Sequence, residues 1–225
     1  MSVDPERSIM RAVRQAIIRW HRSSGREYPW RATSNPFHIL VAEVFLRRTT
    51  AAAVMRAYPD FLERFPDAHT LSEASISEIR KYVEALGLQA QRSKHLHELA
   101  TKIVNDFDGV VPTNKESLLA LPGIGRYLAA AIRNFAFGQP EHMVDGNIVH
   151  LINRLFGLQL SGAEDMQAWQ FVRVLGGQQQ DKQFYWGMID LVALRCLRKN
   201  PRCTQCPVHR YCSFFKGRTR IDNSQ

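Results

Sequence analysis

Four cysteines, Cys196, Cys203, Cys206 and Cys212, stand in a C-x6-C-x2-C-x5-C pattern, and the preceding 195 residues contain none. Thiols this crowded, in a chain whose start shows no secretory leader, point to a metal or cluster site rather than a disulfide pair. Thiolates select soft metals, so the chemistry is iron–sulfur or zinc, with plain structural thiols as the third option. Zinc ribbons commonly use two short cysteine hooks, and only Cys203 and Cys206 form one here. Four thiolates at uneven spacing suit a cubane iron–sulfur cluster. Pro201 and Pro207 stiffen the loop, and Arg195, Arg198, Lys199, Arg202 and Arg210 interleave with the cysteines. That basic loop is expected to face phosphate.

A second candidate is Leu121-Pro122-Gly123-Ile124-Gly125. Two glycines two apart permit a tight turn with backbone amides turned outward. Next to a helix start, those amides make a nest for an anion. The same pattern also serves as an ordinary link between helices. A third candidate is Asp145, in Val144-Asp145-Gly146-Asn147. An aspartate at a helix start is commonly a cap, and here it is also a carboxylate available for chemistry.

The elements that position these residues read as helices. Apolar residues recur at helical spacing over about 5–22, 37–48, 50–64, 75–86, 90–107, 114–120, 126–135, 147–156, 165–175 and 182–195, with breaks at Pro29, Pro36, Pro112 and Pro122. The stretch from Phe37 to Arg48 is almost continuously apolar, which marks a buried central helix. Alternating strand patterns, repeats and low-complexity tracts are absent, so the fold class is all-α.

Charge narrows the partner. The chain carries 30 Lys+Arg against 21 Asp+Glu, a formal +9. Eight of those basic residues and one acidic residue, Asp222, follow residue 190, so +7 of the +9 is local to that end. A polyanion is the expected partner. The apolar fraction of 45% is that of a folded domain rather than a disordered tail. No run of 18 apolar residues exists, so no membrane span is expected. The first 25 residues are dotted with charge from Asp4 to Arg22, so a secretory leader is not expected and the expected location is the cytoplasm.

Taken in order on an all-α chain, the hairpin motif, Asp145-Gly146-Asn147 and the four cysteines resemble the helix–hairpin–helix DNA glycosylase superfamily, over about residues 8–215. Tyr28-Pro29-Trp30-Arg31, Pro36 and Ile39-Leu40-Val41-Ala42-Glu43-Val44 resemble the amino-terminal signature of its MutY-like branch. Adenine glycosylases of that branch typically carry Gln-Gln-Thr where this chain has Arg47-Arg48-Thr49-Thr50. They carry Gly-Tyr-Tyr where it has Gln89-Ala90-Gln91, and they usually add a further carboxy-terminal domain. Leu46-Arg47-Arg48-Thr49-Thr50 and Tyr127 look instead like the archaeal thymine-DNA mismatch glycosylase.

The resemblance implies a fold, a cofactor and roles. A six-helix barrel module would span 30–140. Residues 1–29 and 141–225 would form a discontinuous module with a [4Fe–4S] loop at 196–212, and DNA would bind in the cleft between the two. The enzyme would be a monomeric, nucleoid-associated, monofunctional glycosylase of base excision repair. It would hydrolyse the N-glycosidic bond of a flipped thymine or uracil opposite guanine in double-stranded DNA. Asp145 would stabilise the positive charge that builds on the sugar. Bifunctional relatives carry a lysine amine at the position of Tyr127, so strand cleavage is not expected. Tyr127 would line the base pocket. Glu43 matches the glutamate that serves adenine glycosylases as an acid, and its apolar helix is expected to raise its pKa. Leu121, Gly123, Ile124, Gly125, Arg47, Arg48, Gln89, Arg92, Asn147 and Arg154 would contact DNA. The alternatives are an adenine glycosylase acting on A:G or A:8-oxoguanine, and a DNA-binding hairpin protein without catalysis.

Overall fold

A computed structural model describes residues 5–177 and 181–222, and among them every regular element is helical. The helices are α1 (Pro5–Ser24), α2 (Pro29–Ala32), α3 (Pro36–Leu46), α4 (Ala51–Arg64), α5 (Ala68–Glu73), α6 (Ile76–Val83) and α7 (Gln89–Phe107). Then follow α8 (Lys115–Leu119), α9 (Arg126–Phe135), α10 (Gly146–Phe156), α11 (Met166–Gly176), α12 (Lys182–Leu194) and α13 (Ser213–Asp222). Single 3-10 turns lie at Glu84–Leu86, Cys203–Gln205 and His209–Tyr211. Among the described residues, no helix is long and apolar enough to cross a membrane.

Contacts divide the chain into two units. One comprises residues 27–141, the other residues 1–26 with 142–225. In the first, α3 is buried along nearly its whole length and packs against α4 and α9. Asn35 starts α3 by accepting from the amides of Phe37 (2.9 Å) and His38 (3.2 Å), and Pro36 fits the first helical turn. The core around it includes Phe45, Phe61, Phe65, Leu96, Ile103 and Ile132. Trp30, of the Tyr-Pro-Trp-Arg signature, is buried in this core, with Tyr28 stacked on it at 4.5 Å.

In the second unit, α12 packs on α1 and α10. Gly187 allows the close approach to α1, because a Cβ there would lie 2.6 Å from Ile17 Cγ2. Fully buried Asp190 accepts from Arg26 through its backbone N (2.7 Å) and Nε (2.8 Å), so a buried ion pair fixes the chain where it leaves this unit.

Most expected helices form, with three differences. The second stops at Leu46 rather than Arg48, because Arg47 turns extended (φ −65°, ψ 115°) and Arg48 enters the left-handed region (φ 56°). Helix α5 has six residues, too few for a period to stand out. Helix α13 begins one residue after the last cysteine, in a segment whose charge hides its apolar face.

Candidate nucleic-acid interface and active site

The hairpin is built from the inside outward. Leu121 and Ile124 are buried in the core of the first unit, and the Ile124 amide closes the turn on Leu121 O (3.2 Å). These two side chains anchor the loop, and the part of them that can face a ligand is the backbone. Gly123 has φ 71°, and a Cβ on it would lie 2.1 Å from His95 Nε2, so the residue must be glycine on two counts. His95 bonds Pro122 O (2.8 Å) and Arg47 Nη1 donates to Gly123 O (3.2 Å). Gly125 caps α9 with open space where its Cβ would stand. The start of α9 has no side-chain cap, and the positive end of its dipole is presented there. Tyr127 lies in that first turn, half-buried against the core.

Two further loops belong with the hairpin. After α3, Arg47 and Arg48 are exposed, and before α7, Leu88 is 51% exposed with φ 52°. Together with Val44, Gln91, Arg92 and His95 they line a pocket of about 260 Å³. Gln89 begins α7, half-buried, and is not among these lining residues. Leu88 is the residue of this pocket that the sequence did not single out. An exposed leucine held in a left-handed backbone, lining one pocket with the exposed Arg47 and Arg48, has the character of the apolar wedges that enter base steps. Its sole signal is the position between Gly87 and a polar run.

Arg92 was expected on a phosphate. It is 7% exposed, and its guanidinium bonds Val44 O (2.7 Å), Phe45 O (3.4 Å), Arg47 O (3.2 Å), Thr49 Oγ1 (2.9 Å) and Gly87 O (3.4 Å). A guanidinium has five N–H donors, so none remains for DNA and that assignment is corrected. Burial and the nearby Arg47 charge lower its pKa. Glu43, on α3, is 8% exposed.

In the second unit, Asp145 caps α10. Its Oδ1 accepts from the amides of Asn147 (2.9 Å) and Ile148 (2.7 Å), and its Oδ2 accepts from Asn147 Nδ2 (3.2 Å). Asn147, expected on DNA, is half-buried, and its side chain bonds Asp145. Burial raises the Asp145 pKa; the two amides, the Asn147 side chain and the Arg198 charge oppose that rise. Arg198 reaches the same turn, donating to Gly146 O (3.3 Å).

All four cysteines line one cavity whose walls include Leu151, Leu155, Val208, Phe214 and Phe215. None is in a disulfide. Among the described residues no three His, Cys, Asp or Glu side chains gather as a single metal ion requires. Burial raises the thiol pKa of Cys196, Cys206 and Cys212, that of Cys206 to about 11, and neighbouring thiols add to the rise. Arg154, also expected on DNA, points here instead. It donates to Leu197 O (2.7 Å) and Arg198 O (3.0 Å), lies 3.8 Å from Cys196 Sγ and stacks on Phe214. Arg195 turns inward against Trp20, while Arg198, Lys199, Arg202 and Arg210 are exposed as expected.

Residues 41–170 match the HhH-GPD superfamily of base excision DNA repair proteins. The chain belongs to this superfamily. It is 37% identical over 212 residues to the thymine-DNA glycosylase of Aeropyrum pernix, spanning 92% of this chain and 95% of that one. It is 34% identical to the thymine/uracil-DNA glycosylase of Pyrobaculum aerophilum, over 92% and 94%. The human adenine DNA glycosylase is 30% identical, and the match spans 95% of this chain but 41% of that protein. Among solved structures, a thermostable thymine-DNA glycosylase superposes with a TM-score of 0.90 at 33% identity, over 95% of this chain and all of the other. Endonuclease III bound covalently to DNA shares the fold, with a TM-score of 0.83 at 22% identity.

Proposed function

We propose that this HhH-GPD enzyme is a monofunctional DNA glycosylase that removes thymine or uracil opposite guanine from double-stranded DNA. The observation that carries the reading is 34–37% identity to thymine- and thymine/uracil-DNA glycosylases over 89–92% of the chain. It acts as a monomer on the cytoplasmic DNA.

The residues supply the steps. The exposed arginines and the start of α9 hold phosphates. Leu88 and Arg48 enter the duplex as the target base leaves, at a cost that is lowest for a mismatch. Tyr127 and Glu43 serve the base. The Asp145 carboxylate faces the positive charge that grows on the sugar as the glycosidic bond breaks, and it orients the water that attacks. Tyr127 offers no amine, so no Schiff base forms and an abasic site is left intact.

The cysteine loop fits a [4Fe–4S] cluster. Its four thiols share one cavity with apolar walls, and the buried thiols of Cys196, Cys206 and Cys212 need a metal's charge to ionise. Cys196, Cys203, Cys206 and Cys212 would hold it, and its contribution is structural order in the basic loop. Excision from T:G, U:G, A:G and A:8-oxoguanine duplexes tests the base choice. Cleavage restricted to the first two is expected, and cleavage restricted to the adenine duplexes overturns it. Borohydride trapping of the wild type on DNA would overturn the monofunctional reading.

A further inference from the structure

Arg92 is a buried cation whose five partners are neutral oxygens on three separate stretches: the end of α3, the loop at 47–49 and the turn at Gly87. Its position at the carboxyl end of α3 suits a positive charge, because the last carbonyls there lack helical partners. Thr49 extends the link: its Oγ1 receives from Arg92 and donates to Leu86 O (3.0 Å). One helical turn along α7, His95 holds the hairpin at Pro122. A single guanidinium therefore ties together the loops that carry Arg48 and Leu88, two residues in left-handed backbone that side chains with a Cβ rarely adopt.

We propose that Arg92 is a positioning residue that sets Arg48 and Leu88 as a matched pair before DNA arrives, so that duplex opening requires no loop rearrangement. Strained backbone persists only where its surroundings over-determine it, and the five bonds of Arg92 are that surrounding. Lysine cannot replace it, since an ammonium is a point donor and cannot span five acceptors in a fan. The proposal rests on the glycosylase reading above and adds to it the part of the molecule that prepares opening rather than chemistry.

The test compares wild type, Thr49→Val and Arg92→Lys. Opening is read by 2-aminopurine fluorescence beside a T:G mismatch. Excision is read in single turnovers on that duplex and on a thymine in an unpaired bulge. The expected result for Thr49→Val is a loss of about tenfold in opening and in T:G excision, with bulge excision within about twofold of wild type. Arg92→Lys should lose more in the same pattern; if it does not fold, Thr49→Val decides alone. Equal losses on paired and bulged thymine, or a lowered melting temperature with opening unchanged, would overturn the proposal. A wild type that excises neither substrate would instead overturn the glycosylase reading, and the proposal with it.

Discussion

Arg92 and Arg154 are both helix arginines expected on DNA, and both have guanidinium groups turned into the protein, onto backbone carbonyls. Around Arg92 the set of partners is complete within its own unit: five donors meet five oxygens, and three stretches of chain are fixed by them. Around Arg154 it is conditional. That guanidinium lies 3.8 Å from Cys196 Sγ, on the wall of a cavity lined by four thiols, and burial favours the protonated form of Cys196 and Cys206. Only a metal's charge makes those sulfurs strong acceptors. The loops that carry Arg48 and Leu88 are thus organised by the polypeptide alone, while the loop beside the carboxylate is the part that the proposed cluster would order. Arg198 carries that dependence to the carboxylate's turn through Gly146.

The sharpest break between the two regions is Asp145→Asn. Asparagine still caps a helix, so folding and duplex opening should survive while single-turnover excision falls by about 10²–10³ or more. Opening that fails together with excision would show that the regions are not separable. Next in size is removal of the proposed cluster from the purified protein. The expected result is loss of the broad visible absorbance of a four-thiolate cluster and a melting temperature lower by several degrees, roughly 4 °C for each kcal/mol removed. Recovery on reconstitution with iron and sulfide should follow. A melting temperature indifferent to iron would sink the conditional half of the comparison.

The hairpin sharpens the comparison further, because its two glycines differ. Gly123→Ala forces a Cβ against His95 in left-handed backbone and should cost about 1–3 kcal/mol of stability by denaturant melting. Gly125→Ala has φ −92° and open space at the Cβ, so it should melt near wild type and lose DNA affinity instead, by filling the approach to the α9 amides. Equal melting of the two variants would remove the division between anchor and contact.

What was legible in the sequence follows the same line. Cys196 to Cys212, Gly123, Gly125 and Asp145 stand out because their chemistry requires that residue type at that spacing. Leu88, Arg92, Arg154 and Asn147 do not, because their roles depend on which way a side chain turns. Arg92 has the composition of a phosphate contact, and only its burial and five acceptors make it a fastener. Leu88 has the composition of core, and only its exposure and positive φ set it apart. The helices with a long apolar period were readable, whereas α5 was too short and α3 ended two residues early for a reason that lies in the backbone of Arg48.

The smallest expected effect is on pH. Burial raises the Asp145 pKa above the usual carboxylate value, and Arg198 is one of the influences that oppose it. The folded protein therefore holds this proton more tightly than the unfolded chain. Asp145 favours folding most at low pH, and that contribution fades as pH climbs from the unfolded value of 3.8 through the raised folded one. Excision needs the ionised form, so its acid limb should lie above the range of an ordinary aspartate. Arg198→Ala removes an opposing charge and should move that limb to higher pH, with the plateau rate at alkaline pH little changed. The profile of single-turnover rate against pH, taken on the bulged substrate so that opening does not intrude, measures the shift. A limb that stays in place, or moves to lower pH, would show that the cysteine loop does not bear on the carboxylate, and the dependence drawn from Arg154 through Arg198 to Asp145 would end at Gly146.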